Sequence, residues 1–492
     1  MQLVKKLLEF LSPAEHRRLL QLMVMMIVMA LLDVIGIVSI MPFMAVLANP
    51  ELVDKNSVLS ALYGGLGFSN LQFFLFFLGV CVFFLLLISI GFKALTKFAL
   101  IRFTTMQSYR LSRQMVKGYL HQPYGWFLNR NSSDLGEKIL IEVNSAVGGG
   151  LAPLLNLLAQ SLVTISILTT LLIVDPGIAV IMALILTTFY LTIHIRTTRT
   201  ISLTARQRVL SSRDMFRNIN EAFGAVKEVK MGGLEQEYLH RFEAPAYRHA
   251  QHQAIATLVA EFPRYLLEAV AFGSILLVVL IVTAQSYGNL ANAIPIISLY
   301  ALAAYRLMPS LQQVYSSIVR LRLASESVNT LHEDLFVLSS EDHLNVDSTA
   351  LSLKHCIRLE NIIFKYHNTT QLTINNLDLT IPAFSSVGFV GATGSGKTTT
   401  VDLILGLLQP QQGSLTVDGL VIDEANLNSW KRSIGYVPQN IYLADDSLAA
   451  NIAFGVEKWK IDTAAVERAS RIAKLHDFVI QELPSGYNTI VG

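Results

Sequence analysis

Residues 391–400 read GATGSGKTTT and directly follow the apolar run VGFV at 387–390. The pattern G-x-x-x-x-G-K-[ST] is met by Gly391, Gly396, Lys397 and Thr398. Glycines at 391, 394 and 396 let a loop curl so that successive backbone N–H groups point inward, and a helix start adds partial positive charge. The pattern predicts a buried strand at 387–390, a helix at 397–408 and, between them, a loop that binds a nucleoside triphosphate.

Two side chains that follow the loop have predicted roles in binding the nucleotide and its cation. Lys397 is expected to reach the β- and γ-phosphates, and the Thr398 hydroxyl is expected to ligate Mg²⁺. The alternative is a glycine-rich turn without a ligand, which the preceding apolar run and the following helical pattern disfavour. The predicted nucleotide-binding residues of the loop are Gly391, Thr393, Gly394, Ser395, Gly396, Lys397, Thr398 and Thr399.

The loop belongs to a region of short β-rich runs that begins near Lys354. These runs lie at 356–366, 375–381, 385–391, 414–419 and 433–439. Residues 420–424, LVIDE, resemble the hydrophobic run plus Asp-Glu that supplies catalytic carboxylates. They come directly after Asp418-Gly419, where a β-hairpin connection is expected, so we predict a hairpin strand and no catalytic role.

The chain as a whole has a membrane composition. Apolar residues make up 52% of the 492 residues and charged residues only 15%, against roughly 25% charged residues in soluble domains. The basic N-terminus is not followed by a small-residue cleavage site, so we expect it to be retained. The two cysteines, Cys81 and Cys356, predict neither a disulfide nor a metal site.

Six apolar segments are long enough to cross a bilayer, which takes about 20 residues. Asp175-Pro176-Gly177 and residues 286–289 interrupt two runs that are too long for one span, so each run predicts a helical hairpin. The predicted spans are 19–47, 71–91, 148–174, 177–195, 266–285 and 290–312. We predict a transmembrane domain at 1–330, a linker at 331–353 and a partial nucleotide-binding domain at 354–492.

Two long basic segments, 92–147 and 194–250, separate the spans, whereas the other connections hold only Lys55 among basic residues. Since Lys and Arg collect on the cytoplasmic side, both segments and both termini are predicted to face the cytoplasm. We expect these two arms to be helical hairpins that continue the spans. Their turns, near 121–139 and 221–242, are either docking helices for a partner or solvated turns, and periodicity leaves both interpretations open.

Taken together, these features resemble an ABC exporter half-transporter. Tyr366, at the end of ENIIFKY (360–366), stands where the family's aromatic residue stacks on adenine. Gln439, in IGYVPQ (434–439), stands where the family's glutamine ligates Mg²⁺ and positions water. The resemblance implies an all-α six-helix transmembrane domain with long cytoplasmic extensions, followed by a partial α/β P-loop NTPase domain. It also implies ATP and Mg²⁺ as cofactors and a homodimer or heterodimer, with no nucleic-acid partner.

Three stretches are similar to bacterial flippases of lipid-linked oligosaccharides. They are LLDVIGIVSIMPFMAVLANP (31–50), AVKEVKMGGLEQEYLHRF (225–242) and AAYRLMPSL (303–311). This similarity implies an ATP-driven translocase of the bacterial cytoplasmic membrane that flips or exports a lipid-linked glycan or related amphiphile. The alternatives are an exporter of drugs, peptides or lipids, and a non-hydrolysing ATP-binding membrane subunit.

An anionic substrate of this kind requires cations along its path, and three candidates exist. Lys93 ends the second span, where snorkelling to the interface is the structural alternative. Arg264 precedes the fifth span and is spaced to pair with Glu261 or Glu268. Arg306 lies inside the sixth span, where a charge tends to face a cavity or a partner. Asp33, the charge in the first span, is a candidate partner for one of them, and the sequence does not say which.

The last residues, LPSGYNTIVG (483–492), resemble the run that precedes the LSGGQ signature in the family. Residues 440–492 contain neither that signature, nor the hydrophobic-run aspartate, the catalytic glutamate or the switch histidine. We therefore expect a C-terminally truncated half-transporter whose chain binds ATP but does not complete a hydrolytic site with a copy of itself.

Overall fold

The computed structural model describes residues 2–51, 53, 56–68, 70–285, 290–338, 349–367, 369–439 and 441–492. The chain divides into two compact units, Met1–Leu344 and Asn345–Gly492. Unit 1 is helical and unit 2 holds the strands, which confirms the predicted fold class. The helix Ser325–Leu338 enters the range predicted as a linker, and residues 339–348 of that range lie outside the described residues.

The described part of unit 1 is built of helices. In chain order they are α1 Gln2–Glu9, α2 Pro13–Val38, α3 Ile40–Ala48, α4 Ser57–Gly65, α5 Leu71–Leu120, α6 Tyr124–Phe127, α7 Ser132–Glu137, α8 Val143–Ala146, α9 Ala152–Val174, α10 Pro176–Gly224, α11 Val226–Gly232, α12 Glu235–Glu261, α13 Pro263–Gln285, α14 Leu290–Leu323 and α15 Ser325–Leu338. Two π-helical turns, Lys138–Glu142 and Val147–Leu151, flank α8.

Four helical stretches in the described part of the chain are long and apolar enough to cross a membrane: Pro13–Ala48, Leu71–Leu120, Asp134–Val174 and Ile294–Leu323. The predicted spans 177–195 and 266–285 lie within α10 and α13. The turn predicted at 286–289 lies outside the described residues. At 1.5 Å per residue the 50-residue helix α5 is about 75 Å long, so it carries its span far into the first arm.

Local sequence signals explain where these helices begin and end. Ser12 and Glu15 form a capping box at the start of α2, in which the Ser12 backbone N–H donates to Glu15 Oε2 at 2.7 Å. The side chain of Asn70 caps α5. Asp175 is extended and separates α9 from α10, and Pro176 supplies the first residue of the new helix.

The core of unit 1 forms along regular helical stripes. In α9 every fourth residue from Leu155 to Leu171 is buried, and this face packs between α2 and α14. In α2 the buried positions include Met26, Ala30, Asp33 and Ile37, which follow the spacing of a helix-packing stripe. A carboxylate therefore occupies a position that the pattern reserves for an apolar side chain.

Unit 2 is built on a four-stranded antiparallel sheet of order β2-β1-β3-β4. Leu359 of β1 lies opposite Leu379 of β2 and Leu415 of β3. A second, two-stranded sheet pairs β5 with β6. The strands and helices of unit 2 are β1 Cys356–Phe364, β2 Ile374–Pro382, α16 Lys397–Ile404, β3 Gln412–Val417, β4 Leu420–Val421, α17 Leu427–Lys431, β5 Asp446–Ser447, α18 Leu448–Ile452, α19 Thr463–Ile472, α20 His476–Glu482 and β6 Ile490–Val491, with 3₁₀ turns at Lys458–Lys460 and Gly486–Asn488.

Three local predictions for unit 2 are wrong. Residues 387–390 and 433–439 are not strands, and Val390 is 97% exposed. A buried parallel strand needs hydrogen-bonded neighbours on its two edges, whereas the sheet in the described part of unit 2 contains only β1 to β4. The helix that begins at Lys397 ends at Ile404 and not at residue 408. Residues 420–421 do form the predicted hairpin strand with β3.

Candidate functional site

The loop at 391–396 has the backbone conformation that its glycines predict. Gly394 and Gly396 have φ values of +81° and +91°, in the left-handed region that side chains disfavour. At Gly391 a Cβ atom would lie 2.8 Å from Ser395 Oγ. The chain therefore turns tightly and leads straight into α16, whose N-cap is Gly396.

The start of α16 offers backbone donors to an anion. The first intrahelical bond runs from the Thr400 N–H to the Gly396 carbonyl, at 2.8 Å. A helix start leaves its first N–H groups without intrahelical acceptors, and together with the helix dipole they favour negative charge. Gly396 supplies no capping side chain that would occupy these donors. The loop and helix start therefore fit a phosphate group.

Lys397 lies over the loop rather than away from it. Its Nζ donates to the carbonyl oxygens of Gly391 and Ala392, at 2.8 Å each. Thr398 is exposed at the first turn of α16, whereas Thr399 is 5% exposed. The amine and the Thr398 hydroxyl thus lie at the solvent-facing end of the same helix, where a triphosphate and its cation can reach them.

Tyr366 is coupled to this helix by a hydrogen bond. Its hydroxyl lies 2.9 Å from Thr399 Oγ1, and its ring contacts Phe364 edge-on with centroids 5.1 Å apart. The sequence analysis predicted that Tyr366 and the loop belong to one site. In the structure Tyr366 contacts the first turn of the helix that follows the loop. Gln439 lies on an exposed irregular segment, and no hydrogen bond among the described residues joins it to the loop.

The body of α16 is anchored in the core of unit 2. Trp430 is 3% exposed, and its Nε1 donates to the Ile404 carbonyl at 2.8 Å. Asp402 lies on the buried face of the helix, and burial raises the pKa of its carboxyl above the usual value of 3.8. The loop is therefore carried by a helix whose orientation is set by packing.

A second cluster of polar residues lies in unit 1, around Asp33. This carboxylate is 1% exposed and accepts hydrogen bonds from Arg306 Nη1 at 2.9 Å and from Ser89 Oγ at 2.6 Å. Lys93 Nζ lies 3.8 Å from its other oxygen. Asp33 thus pairs with two of the three predicted cations, and the cluster joins α2, α5 and α14.

Arg264, the third predicted cation, is not part of this cluster. Its Nε lies 3.1 Å from Glu268 Oε1, one turn further along α13. The side chain of Arg264 is 55% exposed. The helical spacing allowed Arg264 to pair with Glu261 or Glu268, and the structure shows the contact with Glu268.

Both units match one protein family. Residues 23–310 match the family described as the ABC transporter transmembrane region, and residues 374–489 match the family described as ABC transporter. The chain belongs to the ABC transporter family. It is a multi-pass membrane protein whose second unit is of the ATP-binding type.

Curated relatives of this ABC transporter come from bacteria and from a plant. The ATP-dependent lipid A-core flippase of Cupriavidus metallidurans is 28% identical over 390 residues, which cover 78% of this chain and 64% of the relative. The ATP-dependent lipid A-core flippase of Saccharophagus degradans is 30% identical over 273 residues, or 55% of this chain and 45% of the relative. ABC transporter B family member 29, chloroplastic, of Arabidopsis thaliana is 27% identical over 366 residues, which cover 74% of this chain and 56% of the relative. The chain thus spans less than two thirds of the length of these relatives.

Two features of this ABC transporter were missed in the sequence. Ser89 lies four residues before Lys93, and this helical spacing was the available signal that both reach the same partner. Glu137 is 0% exposed, and Arg213 Nε lies 4.0 Å from its Oε2. The sequence around Glu137 is punctuated by Asn, Ser and Gly, so nothing in it predicted a buried carboxyl.

Proposed function

We propose that this chain is part of an ATP-driven half-transporter that moves an anionic, lipid-linked glycan or related amphiphile across the bacterial cytoplasmic membrane. The observation that carries the proposal is the phosphate-binding geometry of the loop at 391–397, on a chain whose first unit belongs to a transporter family. The names of the bacterial relatives support a lipid substrate. Since the chain spans 64% of the first of these relatives, transport and hydrolysis are proposed for the complete half-transporter acting in a dimer.

The roles of the nucleotide-site residues follow from their positions. The loop N–H groups and Lys397 hold the phosphates, and the Thr398 hydroxyl ligates Mg²⁺ when the cation is bound. Tyr366 stacks on the adenine, and Gln439 contributes a second oxygen ligand and positions water. In this arrangement Lys397 exchanges its two carbonyl partners for phosphate oxygens, which its half-buried position over the exposed loop allows.

Substrate recognition is proposed for the cluster around Asp33. Arg306 and Lys93 are the cations of that cluster, and Asp33 holds their side chains at one place between three helices. A charge within a span tends to mark a substrate path. Arg264 is exposed and paired with Glu268, so its contribution to substrate binding is expected to be smaller.

Nucleotide binding is tested on the purified chain in nanodiscs with a fluorescent ATP analogue and Mg²⁺. Lys397→Ala is expected to weaken binding at least tenfold, since a charge-assisted contact to phosphate contributes about 1.5–3 kcal/mol. Lys354→Ala, an exposed lysine of the same unit, is the matched control and should bind like the wild type. Equal affinity of Lys397→Ala and Lys354→Ala would refute the assignment of the loop.

The substrate is tested separately. Binding of a polyprenyl diphosphate glycan is compared with binding of a hydrophobic cationic drug in the same nanodiscs. The proposal expects saturable binding of the glycan lipid, weakened by Arg306→Gln. Saturable binding of the drug alone would favour a multidrug exporter.

A further inference from the structure

A cavity of about 310 Å³ lies in unit 1, away from the Asp33 cluster. Its walls come from the π-helical turn Val147–Leu151 and from α10, α12 and α14. Arg320 follows the predicted sixth span and Arg208 follows the fourth, so the cavity lies on the side of the predicted spans that carries the basic arms. Its size is at the lower end for small-molecule sites, which hold roughly 300–1,000 Å³.

Two guanidinium groups line this cavity. Arg208 Nη1 donates to Gln253 Oε1 at 3.4 Å, a long contact that leaves most of its donors available. Burial lowers the pKa of Arg208, and the carboxylate of Glu142 opposes this. Arg320 is exposed, so its guanidinium group is accessible to a ligand. Glu261 is the one carboxylate among the lining residues, so the lining carries a net positive charge.

The floor of the cavity is open because of a glycine. A Cβ atom built at Gly148 would meet no heavy atom within 4 Å, although this residue lies inside a continuous helical segment. Single π-helical turns inside helices occur often at functional sites. Ser145 adds a hydroxyl group to the wall, where the Thr257 hydroxyl donates to the Gln253 carbonyl at 3.0 Å. The cavity thus combines free volume, two guanidinium forks and the hydroxyl of Ser145.

We propose that this cavity binds a phosphate monoester group, carried by a lipid headgroup or by a free phosphate compound. Guanidinium forks match phosphate oxygens bidentately and are weakly hydrated, so they are suited to a partly buried phosphate. The site is distinct from the nucleotide loop, which lies in the other unit, and from the Asp33 cluster. The inference goes beyond the proposed transport function, because substrate recognition is proposed for the Asp33 cluster and none of the residues of that cluster lines this cavity.

Calorimetric titration of the full chain in neutral detergent, without nucleotide, tests this site. The probes are dioctanoyl phosphatidic acid, glycerol 3-phosphate and dioctanoylglycerol. Phosphatidic acid is expected to bind, and Arg208→Gln and Arg320→Gln should each weaken its binding about tenfold. Arg217→Gln is the control, because Arg217 lies on the same helix as Arg208 and pairs with Asp214. Tighter binding of phosphatidic acid than of glycerol 3-phosphate assigns the site to lipid, and equal binding assigns it to a soluble phosphate compound.

A cavity-filling variant gives a test that leaves every charge in place. Gly148→Leu should abolish binding by occupying the open volume. Gly91→Leu is the matched control, since a Cβ at Gly91 also meets nothing within 4 Å but Gly91 does not line the cavity. Arg208→Lys, which keeps the charge, should retain more affinity than Arg208→Gln. The inference is overturned if dioctanoylglycerol binds as tightly as phosphatidic acid, or if Gly148→Leu and both arginine variants bind like their controls.

Discussion

Asp33 Oδ1 accepts a hydrogen bond from Arg306 Nη1 at 2.9 Å, and this contact joins α2 to α14 across 273 residues of sequence. The carboxylate is 1% exposed at its side chain and the guanidinium 13%. Buried ion pairs contribute little net stability when compared with apolar residues of the same shape, yet breaking one leaves a charge without compensation. Breaking the pair is therefore expected to cost more stability than the intact pair contributes.

Removing Arg306 is expected to cost up to about 3–5 kcal/mol of unfolding free energy, because the buried Asp33 would lose its shorter charged contact and keep only Lys93, 3.8 Å away, and the hydroxyl of Ser89. Arg306→Leu is compared with the wild type by thermal unfolding in detergent. The double variant Asp33→Asn/Arg306→Leu should recover part of the loss, since it removes both charges. Lys93→Leu is the control and should cost less, because Lys93 is 3.8 Å from Asp33 and 34% exposed. A double variant no more stable than Arg306→Leu would contradict the pairing.

The ring of Tyr366 and its hydroxyl are expected to have separate effects. Tyr366→Phe removes the hydrogen bond to Thr399 and should lower stability by about 1 kcal/mol while leaving nucleotide affinity within about twofold. Tyr366→Ala removes the stacking surface and should weaken ATP-analogue binding roughly 5- to 160-fold, the range for base–aromatic stacking. Tyr442→Ala, at a 76% exposed tyrosine of the same unit, should leave binding unchanged. Equal losses for Tyr366→Phe and Tyr366→Ala would argue against stacking.

Asp418 should make unit 2 sensitive to acid. Its carboxylate accepts the backbone N–H groups of Lys354, His355 and Cys356 at 2.7, 2.7 and 2.9 Å. The bond from Lys354, followed by those from Cys356 and His355, lowers the pKa of Asp418 below 3.8. This contribution to stability is present above the unfolded-state pKa and is lost as pH falls through the folded-state pKa. Asp418→Asn should therefore be less stable than the wild type at neutral pH, with a difference that shrinks at acid pH.

Asp402 should show the opposite dependence on pH. Burial raises the pKa of the Asp402 carboxyl above 3.8. Its favourable contribution to the free energy of unfolding is therefore complete below the unfolded-state pKa and is lost as pH rises through the folded-state pKa. Asp402→Asn should gain stability relative to the wild type as pH increases. The measurement follows Trp430 fluorescence during unfolding of the full chain, in a Trp126→Phe/Trp459→Phe background. An Asn variant whose advantage shrinks with rising pH would refute the assigned direction.

Much of the geometry of the candidate nucleotide site could be predicted because it is local. Gly394, Gly396 and Lys397 lie within a few residues of one another, and their conformations follow from residue type and helix-start chemistry. The turn at Asp175 is predictable for the same reason, since proline suits the first position of a helix and has no N–H with which to extend the preceding one. The closeness of Tyr366 to this loop could be predicted because the strand before Tyr366 was expected to end near the loop.

The pairing of Asp33 could not be predicted in this way. Its partners come from helices far apart in the chain, and only packing of the α2 stripe against α14 determines which cation is close. The strand predicted at 387–390 was wrong for a related reason, because an apolar run becomes a strand only when neighbouring strands pair with it. In both cases the local pattern showed which residues are charged or apolar. It carried no information about which residues from distant parts of the chain would contact them.

The buried carboxylate in α2 also has a consequence for how the chain is made. A charge at the centre of a lone span costs about 2.5–3.5 kcal/mol during insertion. At about 5–20 residues per second, Arg306 is synthesised roughly 15 to 55 s after Asp33. During that interval the available partners are the hydroxyl of Ser89 and the amine of Lys93, which lie on α5, the helix that carries the second predicted span. We therefore expect the first two predicted spans to insert together, with Asp33 in contact with Ser89 and Lys93. Arg306 joins this cluster after the sixth predicted span has been synthesised.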